Sequence, residues 1–589
     1  MSLEPTPTKN NLRFRAADFS SLAEALDYAA EGETGCNFYS GRGELTAVVP
    51  YAELRRQSQD LARRLIGLGL DRGSRLALIA DTTPDFLRFF FACQYAGLVP
   101  VPLPIPISLG SHKAYVAQLR AMLESCAASL AFAPDEFGSF LKEAADGLGL
   151  ALHGGPEVFD ALPEAAVELQ PLAADELAYI QHTSGSTRFP RGVMITQAAV
   201  LSNLASIIND GVEMSAGDRC VSWLPFYHDM GFVGLVLTPL ASQVSVDYLG
   251  TREFAMRPRQ WLNLMSRTRA TISFGPPFGY ELVERRLRPG EAAKLDLSAW
   301  RVAGVGAEMI RAETLHRFAE ALAPSGFDPN AFIACYGMAE CSLAVSFAPL
   351  SQGIEVDLID ADYLAENHVA LPLNSVPDQS DSSRGRSFVV CGTPLAEFEV
   401  EIRDDSGEPV EERHTGTIFL RAPSVMSGYF RDADATAAAL SQDGWLNTGD
   451  VGYRLGDRIV ITGRKKDLII IHGRNIWPQD LEYLAEQQPE IRSGDALAFA
   501  APGPDGGETA VMVVQCRERD PAKRSDLVGR LERLVRGELG IECYVELVPL
   551  HTLPRTSSGK LSRSKARQNF IASHVWTVPG ERRADKRAV

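Results

Sequence analysis

Apolar residues recur at helical spacing over residues 21–30 and 51–68. Residues 76–80 form an unbroken apolar run, which predicts a buried strand. Residues 85–97 predict a helix closed by glycine, and Val99-Pro100-Val101-Pro102 returns to an extended path. Strand, helix and strand in that order predict a parallel α/β layer. The rhythm continues with helices over 112–125 and 137–147 around a strand at 130–132. A strand over 176–182, a helix over 197–209 and a strand over 220–224 follow. Residues 270–274 and 302–305 add short strands, and 314–322 a helix. Between 388 and 430 the period changes to two, with strands over 398–402 and 417–420 around a turn at 404–407. That stretch reads as a β-rich subdomain. The charged connector Gly463-Arg464-Lys465-Lys466-Asp467 marks a boundary, and the mixed pattern beyond it predicts a compact α+β unit.

The expected architecture is therefore α/β. A large N-terminal domain spans 1–463, a hinge 464–467, and a small, mobile C-terminal lid domain 468–589, with a disordered tail from about residue 580. Residues 353–386 fit neither period. They carry Asp357, Asp360, Asp362 and the run Asp378-Gln379-Ser380-Asp381-Ser382-Ser383, and read as a long loop or insertion.

Composition narrows the function classes. At 589 residues and 45% hydrophobic content the chain can bury a substantial core. A net charge of −17 excludes general nucleic-acid binding. The charge is uneven: from Arg464 onward 21 Lys and Arg face 17 Asp and Glu, against 37 and 58 before it. Nine scattered cysteines without a Cys-x-x-Cys pair fit a reducing, cytoplasmic setting and give no zinc signature. The polar first fifteen residues do not read as a signal peptide, and charges, prolines and polar residues break the most apolar stretches, so no membrane span is expected.

Candidate chemistry starts at Thr183-Ser184-Gly185-Ser186-Thr187-Arg188-Phe189-Pro190-Arg191-Gly192-Val193. Hydroxyls and a glycine before an apolar run can cradle phosphate, and Arg188 and Arg191 add charge. Gly-Lys-Ser/Thr is absent, so this is not a Walker loop, and alone it reads equally well as a surface turn. Tyr336-Gly337-Met338-Ala339-Glu340 joins an aromatic that can stack on a base to a carboxylate that can hold Mg²⁺. Gly306-Ala307-Glu308 is weaker. Asp450, in Gly444-Trp445-Leu446-Asn447-Thr448-Gly449-Asp450, can accept ribose hydroxyls, and Arg464 follows fourteen residues later. Lys560 lies behind the flexible Ser557-Ser558-Gly559, where a cation can offset charge developing at a phosphate. His228 sits among aromatics and reads as well as a core histidine.

Together and in this order, these segments resemble the ANL superfamily of adenylate-forming enzymes from Ser20 to Phe570. The resemblance implies ATP and Mg²⁺ as cofactors and assigns the positions. Thr183, Ser184, Gly185, Ser186 and Thr187 are to hold the β- and γ-phosphates. Gly306, Ala307, Glu308 and Tyr336 are to line the adenine pocket, with Gly337 and Met338 in the same motif. Glu340 is to bind Mg²⁺, and Asp450 and Arg464 the ribose. Lys466 is the hinge residue, Lys560 meets the carboxylate and α-phosphate, and His228 borders the acyl pocket.

Arg188 and Arg191 stand where most members carry glycine and lysine. Together with Tyr227-His228-Asp229-Met230-Gly231 and the insertion after Glu340, they resemble the fatty acyl-AMP ligases. That branch implies a medium- or long-chain fatty acid, an acyl-adenylate, and transfer to the phosphopantetheine thiol of an acyl carrier protein or of a carrier domain of a polyketide or peptide synthase. An acyl-CoA synthetase using the same adenylate is the alternative. Ile470, where many CoA-ligating relatives carry lysine, mildly disfavours it. Trp223, Phe226, Tyr227, Phe274 and Phe278 are expected to line an apolar tunnel, and the basic cluster Arg563, Lys565, Arg567 to receive an acidic carrier protein.

Overall fold

The computed structural model describes residues 3–105, 112–183, 190–375, 385–471, 474–492, 494–503, 508–556 and 560–573, with residue 475 for its backbone alone. The α/β class expected from the alternating pattern is what it shows. A nine-stranded sheet runs in the order Thr393–Pro394, Ala344–Phe347, Phe332–Gly337, Val302–Val305, Ile272–Gly275, Arg219–Ser222, Ser245–Leu249, Gly35–Tyr39, Leu45–Pro50. The six strands from Phe332–Gly337 to Gly35–Tyr39 are parallel to one another, and antiparallel strands close both edges. A second sheet, Val99–Leu103, Arg75–Ile79, Ala128–Phe132, Leu152–Gly154, is wholly parallel. Residues 76–79 and Val99–Leu103 in it are fully buried, as strands covered on both faces are.

The helix Pro84–Ala96 begins with proline in its first turn and ends at Gly97, whose φ of 70° is left-handed. Phe86, Phe89, Phe90 and Phe91 are all buried, so this helix is apolar on more than one side and lies inside the molecule. The sheet also buries a charge pair. Arg219 Nε lies 2.6 Å from Asp247 Oδ2, and Asn37 Nδ2 donates to Asp247 Oδ1 at 2.9 Å. Full satisfaction makes such a buried pair tolerable.

The period-two stretch forms an antiparallel sheet, Glu399–Arg403, Gly416–Arg421, Leu446–Leu455, Arg458–Arg464. Beyond it, Ala496–Pro502, Glu508–Gln515 and Cys543–Val548 form a three-stranded sheet with helices Pro478–Glu486, Pro521–Leu539 and Arg563–Ser573. These residues have apolar clusters of their own, around Leu481, Val514 and Leu531 and around Leu497, Phe499 and Phe570.

Residues 353–375 and 385–386 differ from the expected loop, and the run Asp378-Gln379-Ser380-Asp381-Ser382-Ser383 lies outside the described residues. Strand Val356–Asp360 pairs antiparallel with Gly385–Val389, and helix Ala361–Asn367 follows the first. Ile359, Leu364 and Phe388 are buried against Tyr453 and Val460. Asp357 points inward and accepts from Arg413 at 2.9 Å and from Tyr453 at 2.7 Å. Among the described residues, no helix is long and apolar enough to cross a membrane.

Candidate active site

Ligand sites in open parallel sheets lie at the carboxyl ends of the strands. Here those ends carry His228 after Arg219–Ser222, Ala307 after Val302–Val305, and Tyr336 at the end of Phe332–Gly337. A cavity of ≈760 Å³ opens there. Thr183, Arg191, Ala307, Tyr336, Gly337, Met338, Glu340, Arg464, Lys466, Lys560 and His228 line it. Residues from distant parts of the sequence thus meet around one space. Ser184, Gly185, Ser186, Thr187 and Arg188 lie outside the described residues, as do 557–559 and the tail.

Asp450 and Arg464 face each other on adjacent antiparallel strands. Arg464 Nε donates to Asp450 Oδ1 at 2.8 Å, and the Tyr336 hydroxyl donates to Asp450 Oδ2 at 2.7 Å. Asp450 is buried and stands behind the wall, while Thr448, Gly449 and Arg464 reach the cavity. The Asp450 charge, working against burial, raises the Arg464 pKa. Burial, then Asp450, pushes the Tyr336 phenol well above its ordinary value.

Glu340 sits in the helical turn Ala339–Cys341 and accepts the Tyr429 hydroxyl at 2.9 Å. Burial raises its pKa. No described Lys or Arg forms an ion pair with it, so a divalent cation fits its charge. No cluster of three metal-ligating side chains occurs among the described residues. One carboxylate plus substrate phosphates is how Mg²⁺ is commonly held. The turn behind Glu340 is strained. Ser342 has φ 65° and ψ −58°, and the Leu343 amide donates to the Cys341 carbonyl at 2.8 Å, which closes a γ-turn of positive φ. Ser342 Oγ holds the Ser424 carbonyl at 3.0 Å. Nothing in the sequence pattern marked Ser342.

Lys560 Nζ donates to the Ala307 carbonyl at 2.6 Å. Ala307 has φ 68°, a left-handed conformation uncommon outside glycine, which turns this carbonyl toward the lysine. Burial lowers the Lys560 pKa against the opposing charges of Glu308 and Asp229. Asp229 Oδ1 accepts the Met230 amide at 2.7 Å and lies 2.7 Å from His228 Nδ1. Burial would raise the Asp229 pKa, but His228 and Lys560 outweigh it and the pKa is lowered. Of the expected adenine-loop residues, Ala307 reaches the cavity, Gly306 is buried beneath Cys335, and Glu308 acts on Lys560 through charge. Lys466 is in the turn Lys465–Asp467, and burial lowers its pKa. His182, also on the cavity wall, keeps a buried Nδ1 without a partner, and burial holds its pKa at about 4.

One expectation is corrected. Of the five aromatics assigned to the tunnel, Phe274 alone lines the cavity. Trp223 stacks on Phe254 at 3.7 Å in the core, and Phe226 packs against Phe86 and Tyr248. The apolar walls come instead from residues such as Ile207, Val212, Met214 and Ile272. In the basic cluster, Arg563 is held by Glu482 at 2.7 Å and Asp467 at 3.6 Å, and Arg567 Nε by the Ala500 carbonyl at 2.9 Å. Arg563 is thus paired within the fold, whereas Lys565 and Arg567 are exposed.

A family model described as AMP-binding enzyme matches residues 41–430. The chain belongs to the AMP-binding enzyme family. It is an ATP-dependent, adenylate-forming enzyme, and the resemblance to fatty acyl-AMP ligases stands. A protein of Caulobacter vibrioides named "Putative acyl-CoA synthetase" is 45% identical over 96% of this chain and 98% of its own. The medium-chain-fatty-acid–[acyl-carrier-protein] ligase JamA of Moorena producens is 33% identical over 94% of this chain and 95% of its own. A solved structure from studies of fatty acyl-adenylate ligases of E. coli and L. pneumophila superposes with TM-score 0.90 at 47% identity, over 95% of this chain and 99% of that one. In this AMP-binding enzyme Glu340, Arg464 and Lys560, from distant parts of the sequence, converge on one cavity.

Proposed function

We propose that the protein activates a medium- or long-chain fatty acid with ATP and passes the acyl group to the phosphopantetheine thiol of a carrier protein. The observation that carries the first half is a single cavity with a charged end, where Lys560 meets Ala307, and an apolar end walled by Ile207, Val212 and Ile272. A carboxylate oxygen attacks the α-phosphorus of ATP, the bond to the β-phosphate oxygen breaks, and pyrophosphate leaves with the electron pair. Lys560 and Arg464 offset the repulsion between the anions, and the polar walls hold the two in line. Glu340 would hold Mg²⁺ together with the phosphates, and the ion would supply further charge neutralisation there. Asp450 holds Tyr336 and Arg464 in place for the nucleoside.

The second half rests on residues 353–386. Asp362 Oδ1 accepts from Arg474 at 3.2 Å, and Arg386 lies 2.9 Å from Asp480 with its guanidinium over Phe388 and Trp477. The insertion therefore grips the C-terminal unit in the pose that keeps Lys560 at Ala307. A thiol step needs that lysine withdrawn, by rotation through the connector at 464–467 with Lys466 as the hinge. The grip opposes this rotation for free CoA and leaves it to a bound carrier to drive. The name of the Caulobacter relative favours the second reading, direct acyl-CoA synthesis. The test incubates the protein with ATP, Mg²⁺ and fatty acids from short to long, with CoA or with a holo carrier protein. Pyrophosphate release with acyl-carrier as product is the expected result. Abundant acyl-CoA sinks the carrier assignment, and no pyrophosphate with any acid sinks the reaction.

A further inference from the structure

The apolar end of the cavity owes its room to glycines. Phe274 and Gly304 are partners in register on adjacent parallel strands. A Cβ on Gly304 would lie 2.0 Å from the Phe274 ring, so the ring fills the space that a side chain would take. The Tyr280 hydroxyl donates to the Gly304 carbonyl at 2.9 Å and fixes that strand from behind. Across the cavity, a Cβ on Gly211 would lie 2.6 Å from the Phe347 ring. Phe274 and Phe347 both line the cavity and meet edge to face, with centroids 6.3 Å apart. Both aromatic walls are thus drawn back into glycines.

The third glycine faces the space itself. From 230 to 241 every residue is buried except Gly234, which lines the cavity. A Cβ there would touch only Leu343 Cδ2, at 3.2 Å, within 4 Å. Gly234 is the second residue of the π turn Val233–Leu237, and Gly211 ends the π turn Ile207–Gly211. Such widened turns within helices recur at functional sites. Here Gly234 presents no side chain to the cavity, while Ile207 of the other turn lines it. Ile207, Val212, Met214 and Ile272 add aliphatic surface, and Thr238 turns its hydroxyl onto the Val233 carbonyl at 2.8 Å.

We infer that Gly211, Gly234 and Gly304 set the length and shape of acyl chain the enzyme accepts, by clearing a channel for an unbranched alkyl chain alongside the paired rings of Phe274 and Phe347. This rests on the fatty-acid reading above and specifies it. Each methylene excluded from the channel forfeits the burial it would have gained, so losing room for two costs roughly tenfold in kcat/KM.

The experiment measures kcat/KM by pyrophosphate release for the straight-chain acids from hexanoic to hexadecanoic. Gly234→Leu and Gly304→Ala are each expected to lower the ratio of tetradecanoic over hexanoic acid by about tenfold or more. Adding Phe274→Leu to Gly304→Ala is expected to restore most of it, because the smaller side chain leaves room for the new methyl group. Should Gly304→Ala not fold, Gly234→Leu decides alone, since its new side chain enters the cavity rather than the core. An unchanged ratio in folded Gly234→Leu overturns the inference. Calorimetric binding of the same acids without ATP separates the two claims. A length preference that shifts in Gly234→Leu, with no pyrophosphate release from any acid, refutes the proposed reaction and leaves the channel standing.

Discussion

In the proposed reaction, Lys560 is the residue on which the chemistry leans most and the fold least. Its described hydrogen bond goes to the Ala307 carbonyl, and its side chain joins no apolar cluster. Lys560→Ala is expected to cut pyrophosphate release by about 100-fold or more, the scale of losing one charge-stabilising group. Its folding stability should stay within about 0.5 kcal/mol of the parent, because the side chain ends at a cavity rather than in the core. A thermal melt beside the rate assay checks both halves, and a large fall in the melting temperature would contradict the assignment. The reaction needs the ammonium form. Burial lowers the Lys560 pKa, so that form is present below the lowered value and lost as pH rises through it. The rate should therefore fall on the alkaline side before an exposed lysine deprotonates, and Lys560→Arg should flatten that limb while lowering the plateau. Asp450 is the opposite case. Asp450→Ala leaves the Tyr336 hydroxyl and Arg464 without their acceptor. It should cost about 1–3 kcal/mol of stability as well as raising KM for ATP. Denaturant unfolding together with KM measures both, and a rise in KM at full stability would mean that Asp450 touches the nucleotide directly.

At the scale of elements, the insertion shows what the sequence pattern could and could not carry. The parallel strands were legible because burial on both faces leaves a plain apolar run, as in residues 76–79. Strand Val356–Asp360 inverts the code. Val356 and Leu358 are exposed at 37% and 49%, while Asp357 is turned inward to Arg413 and Tyr453. A period-two pattern with its acid inside reads as loop. The same limit explains Trp223 and Phe226, whose aromatic character is satisfied equally by core or tunnel, and Ser342, whose γ-turn depends on the closing hydrogen bond from Leu343. Glu340, Arg464 and Lys560 stood out because each lies in a short, separately spaced motif, and the fold brings the three to one cavity. The insertion also makes a prediction. Arg386 and Asp480 are largely buried together, and removing one alone would strand the other. Arg386→Met with Asp480→Leu keeps the volume, and Asp362→Ala releases Arg474. The triple variant should stay folded and form acyl-CoA at a rate at least about tenfold above the parent, equivalent to about 1.4 kcal/mol less opposition to rotation. Equal acyl-CoA formation by both proteins would remove the insertion from the argument.

For the whole molecule, the question is whether one rigid pose can serve both half-reactions. The present pose is held at several points between the C-terminal unit and the rest: Lys560 on Ala307, Arg386 on Asp480, Arg474 on Asp362, and Arg311 on Glu486. In the proposed reaction all of them suit adenylation, and the thiol step needs the space that Lys560 fills. The connector is where this can be tested without touching the site. Arg464 is extended, with φ −112° and ψ 133°, and Lys465 opens the short helical turn Lys465–Asp467. An extended residue followed by a first helical position is the setting proline accepts best. The Lys465 side chain reaches Asp405 at 2.6 Å on the surface, a pair worth little. Lys465→Pro thus fits the pose seen here and stiffens the connector, and Lys465→Ala removes the same ion pair without stiffening. Single-turnover pyrophosphate release should match in the two variants, since both keep Lys560 at Ala307. Acyl transfer to the holo carrier should be slower in Lys465→Pro by about tenfold or more, because the proline holds the adenylation pose with at least about 1.4 kcal/mol. Equal transfer in the two would place the pivot beyond Lys465, and slower pyrophosphate release in the proline variant would mean that adenylation itself needs the connector to move.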